Sequence, residues 1–361
     1  RKQRRLSESG VPIDLYYYPE DSLKVMTTYK YSDDIFDFLE EEIGVHYPWP
    51  VYKQIPVKDF LYAGMENTTA TIFSDAYMVD RTGFTDRNYV NVNAHELAHQ
   101  WFGDYVTETS GTHHWLQEGF ATYYALLAEA EVLGEEVYAW KLFQSAMQLK
   151  EMSDKGNGES LLNPKASSLT FYQKGAWALH MLRKEIGDEA FKTAVKSYLQ
   201  KHKFSNVDTE DFLAEARAAS GSDLQEFEWK WLRAVAFNYE DAIATLEDYP
   251  VIQRYKRTVE LRKQSFGQKS QKLFNLLALP DKYSGPEAIY QLADVSPAAA
   301  GRIYERAFYT NNPWVRQAIA QTVSKVPAAM KVNYERLLND DSYITRELAL
   351  MNLWTSFPKD R

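Results

Sequence analysis

The segment His95-Glu96-Leu97-Ala98-His99 constrains this chain more than any other feature. An α-helix turns once in 3.6 residues, so positions four apart lie one above the other on the same face. Two imidazole nitrogens spaced this way can reach a single zinc ion at about 2.0–2.1 Å. Glu96 is rotated by about 100° from His95, so it misses the metal and instead faces a water beside it. A helix is supported by the apolar stripe Val90, Ala94, Leu97, Ala98 and Trp101, which leaves the histidines facing away from that stripe. Glu118 follows His99 after eighteen intervening residues, inside Trp115-Leu-Gln-Glu-Gly-Phe-Ala. Taken singly, the histidines also fit a packing role, and a carboxylate in a first helical turn also fits a dipole partner. Together, His95, His99 and Glu118 leave the fourth tetrahedral position open, as a catalytic zinc site requires, whereas a closed structural site wants four ligands. Such a donor set also accepts cobalt or manganese.

Composition narrows the function classes. There are 50 acidic against 41 basic residues, which argues against nucleic acid as a partner, since phosphate binding needs clustered Lys and Arg. The one basic run, Arg1-Lys-Gln-Arg-Arg5, reads as a solvated stretch, with a binding arm as the alternative. There is no cysteine, so disulfide and thiol chemistry are excluded, and cytoplasmic, periplasmic and secreted locations are all compatible. No apolar run approaches the roughly 18 residues of a transmembrane segment. The chain starts at Arg1 without a Met and is expected to be a fragment. At 361 residues, two or three domains are expected.

Along the chain, residues 11–31 read as strands and 33–42 as a helix ended by Tyr47-Pro-Trp-Pro. Residues 51–56 and 60–73 read as extended, with Gly64 marking a bulge or a close backbone approach. Helices are expected from about 90 to 101 and 116 to 130, with Gly134 as an end signal, then at 136–152, 174–186, 188–201 and 208–219. Asp154-Lys-Gly-Asn-Gly-Glu159 reads as a flexible loop, and from Glu226 onward only helices are expected. The stretches starting at Asn311 and Asp340 resemble each other at an offset of about 29 residues, which suggests stacked helical hairpins.

The spacing of His95, His99 and Glu118 resembles that of the gluzincin aminopeptidases, the family of aminopeptidase N and leukotriene A hydrolase. The likeness covers roughly residues 10–230. His95-Glu-Leu-Ala-His-Gln-Trp-Phe-Gly-Asp is similar to that family's zinc helix, and Ala63-Gly64-Met65-Glu66-Asn67 to its exopeptidase motif, with Ala63 in place of the usual first Gly. Tyr172-Gln-Lys-Gly175 resembles the segment that brings the family's transition-state tyrosine.

This resemblance implies an α+β catalytic domain of thermolysin type at 18–240. A remnant of a preceding β-sandwich domain is expected at 1–17 and an all-α, HEAT-like domain at 241–361. It implies one Zn2+ per chain and a peptide substrate with a free N-terminus, hydrolysed at its first bond. A zinc-bound water activated by Glu96 is the expected nucleophile, with Tyr172 steadying the oxyanion. Residues 63–67 would align the substrate, Glu66 pairing with its α-ammonium. Three rivals remain: hydrolysis of a lipid epoxide on the same scaffold, an inactive binding module, and an endopeptidase. Oligomeric state and side-chain preference are not marked by any motif.

Overall fold

The computed structural model describes residues 1–359. The chain forms two compact units, Arg1–Met78 with Tyr89–Leu246, and Val79–Asn88 with the chain from Glu247 onward.

The first unit begins with a five-stranded sheet of order β1-β2-β3-β5-β4, built from β1 (Lys2–Leu6), β2 (Pro12–Tyr16), β3 (Tyr52–Val57), β4 (Gly64–Met65) and β5 (Ala70–Ser74). The three strands β2, β3 and β5 run parallel, while β1 and β4 pair antiparallel at the two edges. The basic run is therefore an edge strand rather than a solvated stretch. Asp14, buried on β2, is the reason: Arg4 grips its two oxygens at 2.7 and 2.9 Å and Lys2 adds a third bond at 2.7 Å. Both cations remain about half exposed, so desolvation is modest and charge pairing sets the register.

The expectation of strand throughout 11–31 fails after Tyr16. Short helical turns occupy Pro19–Asp21 and Val25–Thr28. Val25 and Tyr29 are both buried, and their spacing of four suits a helical face. The helix expected at 33–42 spans Ser32–Ile43, and Gly44 ends it with φ +71°, a conformation that glycine adopts without a Cβ penalty.

Behind the sheet lie the helices Val90–Ala98, Trp115–Leu133, Glu135–Asp154, Gly175–Ile186, Asp188–Lys201 and Thr209–Ser220. Trp115–Leu133 is apolar on nearly every face and is buried along most of its length, which makes it the central helix of this unit. Large rings (Trp101, Trp115, Phe120, Tyr124, Trp177, Tyr198) fill the space around it. The other unit is helical and has its own core, including Leu273, Ile289, Ile303, Val315, Ile319 and Tyr334. The helix Arg81–Asp86 belongs to it: Asp86 accepts from Ser342 Oγ at 2.6 Å and from the Ile344 amide at 3.2 Å.

Candidate active site

The helix Val90–Ala98 buries Val90, Ala94, Leu97 and Ala98, which turns His95 and His99 to a common side. His99 sits just past the last assigned residue but keeps helical angles, φ −58° and ψ −23°. The two Nε2 atoms lie 3.1 Å apart. His99 Nδ1 is 2.9 Å from the carbonyl of Phe102, which assigns the ring proton to Nδ1 and leaves the Nε2 lone pair free to bind. Glu118 enters from the first turn of Trp115–Leu133, its Oε2 at 3.3 Å from each Nε2.

Glu118 Oε2 is buried without a hydrogen-bond partner and faces both Nε2 atoms, so the three donor atoms converge on one point. A tetrahedral ion with bonds of about 2.1 Å needs ligand–ligand edges of about 3.4 Å. Edges of 3.1, 3.3 and 3.3 Å match that shape. His95, His99 and Glu118 therefore fit zinc in donor type, number and spacing.

The remaining expected residues gather around this cluster. Glu96 is buried, and burial above all pushes its carboxyl up to about 8; Glu66 and Glu118 push the same way against His99. The backbone of β4 presses directly on this side chain, for a Cβ on Gly64 would stand 2.2 Å from Glu96 Oε1. Gly64 is thus a close approach rather than a bulge. Carboxylate oxygens of Glu66 and Glu96 and a ring nitrogen of His99 lie within 4.8 Å of one another. Met65 and Asn67 are exposed, and Asn67 contributes its backbone carbonyl, which accepts from the Ala70 amide at 2.7 Å.

Tyr172 arrives on a single turn of π-helix, Leu169–Lys174, and lies parallel to the His95 ring at 5.4 Å and 7°. Burial, and next to it the charge of Glu118, raises its phenol above the ordinary value, so it stays a donor at neutral pH. Ala63, Gly64, His95, Glu96 and Tyr172 line a cavity of about 460 Å³, together with Asn91, Thr122 and Gln144 among others.

Two residues beyond the expected set matter here. Gln100, fully buried, donates to the Glu66 carbonyl at 3.1 Å and accepts from the Thr69 amide at 2.8 Å, fastening the segment 66–69 to the histidine helix. Its sequence signal is only its place directly after His99. Glu159, in the stretch read as a flexible loop, accepts from Ser167 and Thr170 at 2.6 Å each. No local pattern marks it.

Residues 27–231 match the model of the Peptidase family M1 domain. The chain belongs to this family. Among M1 relatives, the chain is 30% identical over 253 residues to glutamyl aminopeptidase of Bos taurus, covering 64% of this chain and 26% of that protein. It is 31% identical over 248 residues to aminopeptidase N of Streptomyces lividans, covering 63% and 28%. An M1 zinc metallopeptidase of Deinococcus radiodurans, solved as a variant bound to a Tyr-Ser-Ala substrate, matches the fold with a TM-score of 0.50 at 23% identity, over 65% of this chain and 52% of that one. The chain thus spans about a quarter of the length of the curated relatives it matches. No helix among the described residues is long and apolar enough to cross a membrane.

Proposed function

We propose that this chain carries the active site of a zinc aminopeptidase that removes the N-terminal residue from peptides. The observation that carries the reading is the Glu66 carboxylate, within 4.8 Å of Glu96 and His99 beside the three-ligand cluster. A fixed negative charge there pairs with a free α-ammonium and sets the cut one residue in, which an endopeptidase would not need. The matched family and the aminopeptidases among its relatives support the same reading.

Zinc held by His95, His99 and Glu118 would supply a Lewis acid that polarises the scissile carbonyl and brings the pKa of water near 7. Glu96 takes the proton of the attacking water and hands it to the leaving amine. Its carboxyl, buried beside the cluster, is placed both to accept that proton and to return it. Tyr172 donates its phenolic hydrogen to the developing oxyanion. The substrate backbone lies along β4, an edge strand whose outer side has no partner in the sheet order. Ala63, Gly64, Met65 and Asn67 shape that edge, and Glu66 holds the amino end.

On this reading the unit of Arg1–Met78 with Tyr89–Leu246 is the catalytic domain, and the chain from Glu247 onward, with Val79–Asn88, is a helical domain of stacked hairpins. The hairpin assignment is supported by two helices of like design, Pro313–Thr322 and Tyr343–Ser356, capped by Asn312 and Ser342.

The test is zinc content together with a panel of aminoacyl fluorogenic substrates and their N-acetylated forms. Zinc at one equivalent with cleavage of free amino ends alone is the expected result. Equal cleavage of the acetylated forms would remove Glu66 from the role given it here.

A further inference from the structure

A π-turn is wider than an α-turn and packs poorly against itself, so such turns occur singly and persist where surrounding contacts hold them. The turn bearing Tyr172 is held at both ends by one residue. At its front, Glu159 Oε2 accepts from the Ser167 amide at 2.9 Å, from Ser167 Oγ at 2.6 Å and from Thr170 Oγ1 at 2.6 Å. At its back, the Glu159 carbonyl accepts from Lys174 Nζ at 2.6 Å, and the same ammonium donates to the Ala234 carbonyl at 2.6 Å.

Lys174 and Thr170 are buried almost completely, so the bonds they make compete little with bulk water, whereas the two bonds from Ser167 are exposed. Glu159 is itself anchored. A Cβ on its neighbour Gly158 would stand 2.5 Å from the Val235 carbonyl, and the Leu161 amide donates to Leu232 at 2.9 Å. The third side of the turn is set by glycines. A Cβ on Gly175 would lie 2.7 Å from the Cα of Gly119, so the chain just after the turn meets, backbone to backbone, the residue next to Glu118.

We propose that Glu159 and Lys174 are positioning residues that clamp the π-turn at its two ends and thereby set the Tyr172 phenol over the His95–His99–Glu118 cluster. The inference rests on the role given to Tyr172 above. Among the described residues, the hydrogen bonds of Glu159 and Lys174 reach Ser167, Thr170, Ala234 and each other but not the cluster, so both act through Tyr172. Loss of either bond set would let the turn relax toward α-helical register, rotating the phenol away. A misplacement of about 1 Å at a reacting group costs about 10²-fold in rate.

The experiment is a pair of double-mutant cycles on the full chain loaded with zinc, Glu159→Ala and Lys174→Met each crossed with Tyr172→Phe. For every variant, kcat, KM, zinc content and melting temperature are measured on an aminoacyl anilide. Each single variant is expected to lose about 10- to 100-fold in kcat, with zinc content unchanged and KM little moved. In the Tyr172→Phe background the same substitutions should cost nothing further, because the group they position is gone. Glu159→Gln, which keeps an acceptor oxygen in place, should restore most of the lost kcat, and the Lys174→Met cycle carries the test if Glu159→Ala does not fold.

Full additivity in the Phe background would overturn the clamp while leaving Tyr172 its role. An unchanged kcat in Tyr172→Phe alone would overturn the reading of Tyr172 and the clamp with it.

Discussion

At the scale of the residue, the position of Glu96, the proposed general base, is set by a glycine. Gly64 allows β4 to lie against Glu96, and a methyl group there would collide with the flexible end of that side chain rather than with backbone. Gly64→Ala should therefore leave the protein folded and the zinc bound while it swings Glu96 aside, lowering kcat by about 10²-fold or more. Melting temperature and metal content measured beside kcat would check this, and an active variant would show that Glu96 has room to spare. Glu96→Gln is nearly isosteric and should keep the metal while losing about 10²- to 10⁴-fold in turnover. His99→Ala should lose both, since it removes a ligand whose other nitrogen is already fixed by the Phe102 carbonyl. Elemental analysis of the two variants separates the roles: equal zinc in both would make His99 dispensable as a ligand.

At the scale of the element, most helices were legible from periodicity because each has one face that must be buried. Ser32–Ile43 and Asp188–Lys201 agree closely with the reading of the sequence. Thr209–Ser220 does too, its start marked by Asp208, which forms a capping box with Asp211. The stretch after Tyr16 was misread because Val, Thr and Tyr favour strands by propensity, whereas burial of Val25 and Tyr29 on one side decided for helical turns. Packing between elements also leaves a titratable mark. His180 on Gly175–Ile186 is 2.7 Å from Tyr138 Oη and 3.0 Å from Thr245 Oγ1, and burial, then Lys184 and Arg183, depress its pKa to about 3. Between about pH 6.5 and 3 the unfolded chain binds a proton there that the folded chain refuses. Stability should therefore fall as pH drops through that window, by on the order of 1.4 kcal/mol per pH unit at its steepest. Chemical denaturation at several pH values checks this: His180→Phe, though less stable at pH 7, should show a flatter dependence. An equal slope in both would place the titration elsewhere.

At the scale of the whole molecule, the metal is expected to couple the site to stability, because the cluster draws its ligands from two separate helices. A ligand that binds only the folded state stabilises by about 2.7 kcal/mol at a concentration 100 times its dissociation constant. Removing zinc with a chelator should thus abolish peptide hydrolysis and lower the melting temperature by several degrees, and added zinc should restore both. A melting curve unmoved by the chelator would mean that the helices are held together without the ion, or that no ion is bound.

What the sequence determined by itself is local. The spacing of His95 and His99 follows from helical geometry, and the third donor, Glu118, stands in a recognisable first turn. The pairing of an open three-donor site with an adjacent carboxylate was therefore legible before any fold was known. What only the tertiary structure decided is non-local: that β4 brings Gly64 against Glu96, that Gln100 ties down the stretch beside Glu66, and that Glu159 reaches both ends of the turn carrying Tyr172. The physical reason is that periodicity records which face of an element is buried but not what it is buried against. A hydrogen bond between residues far apart in the chain leaves no repeat in the sequence to read.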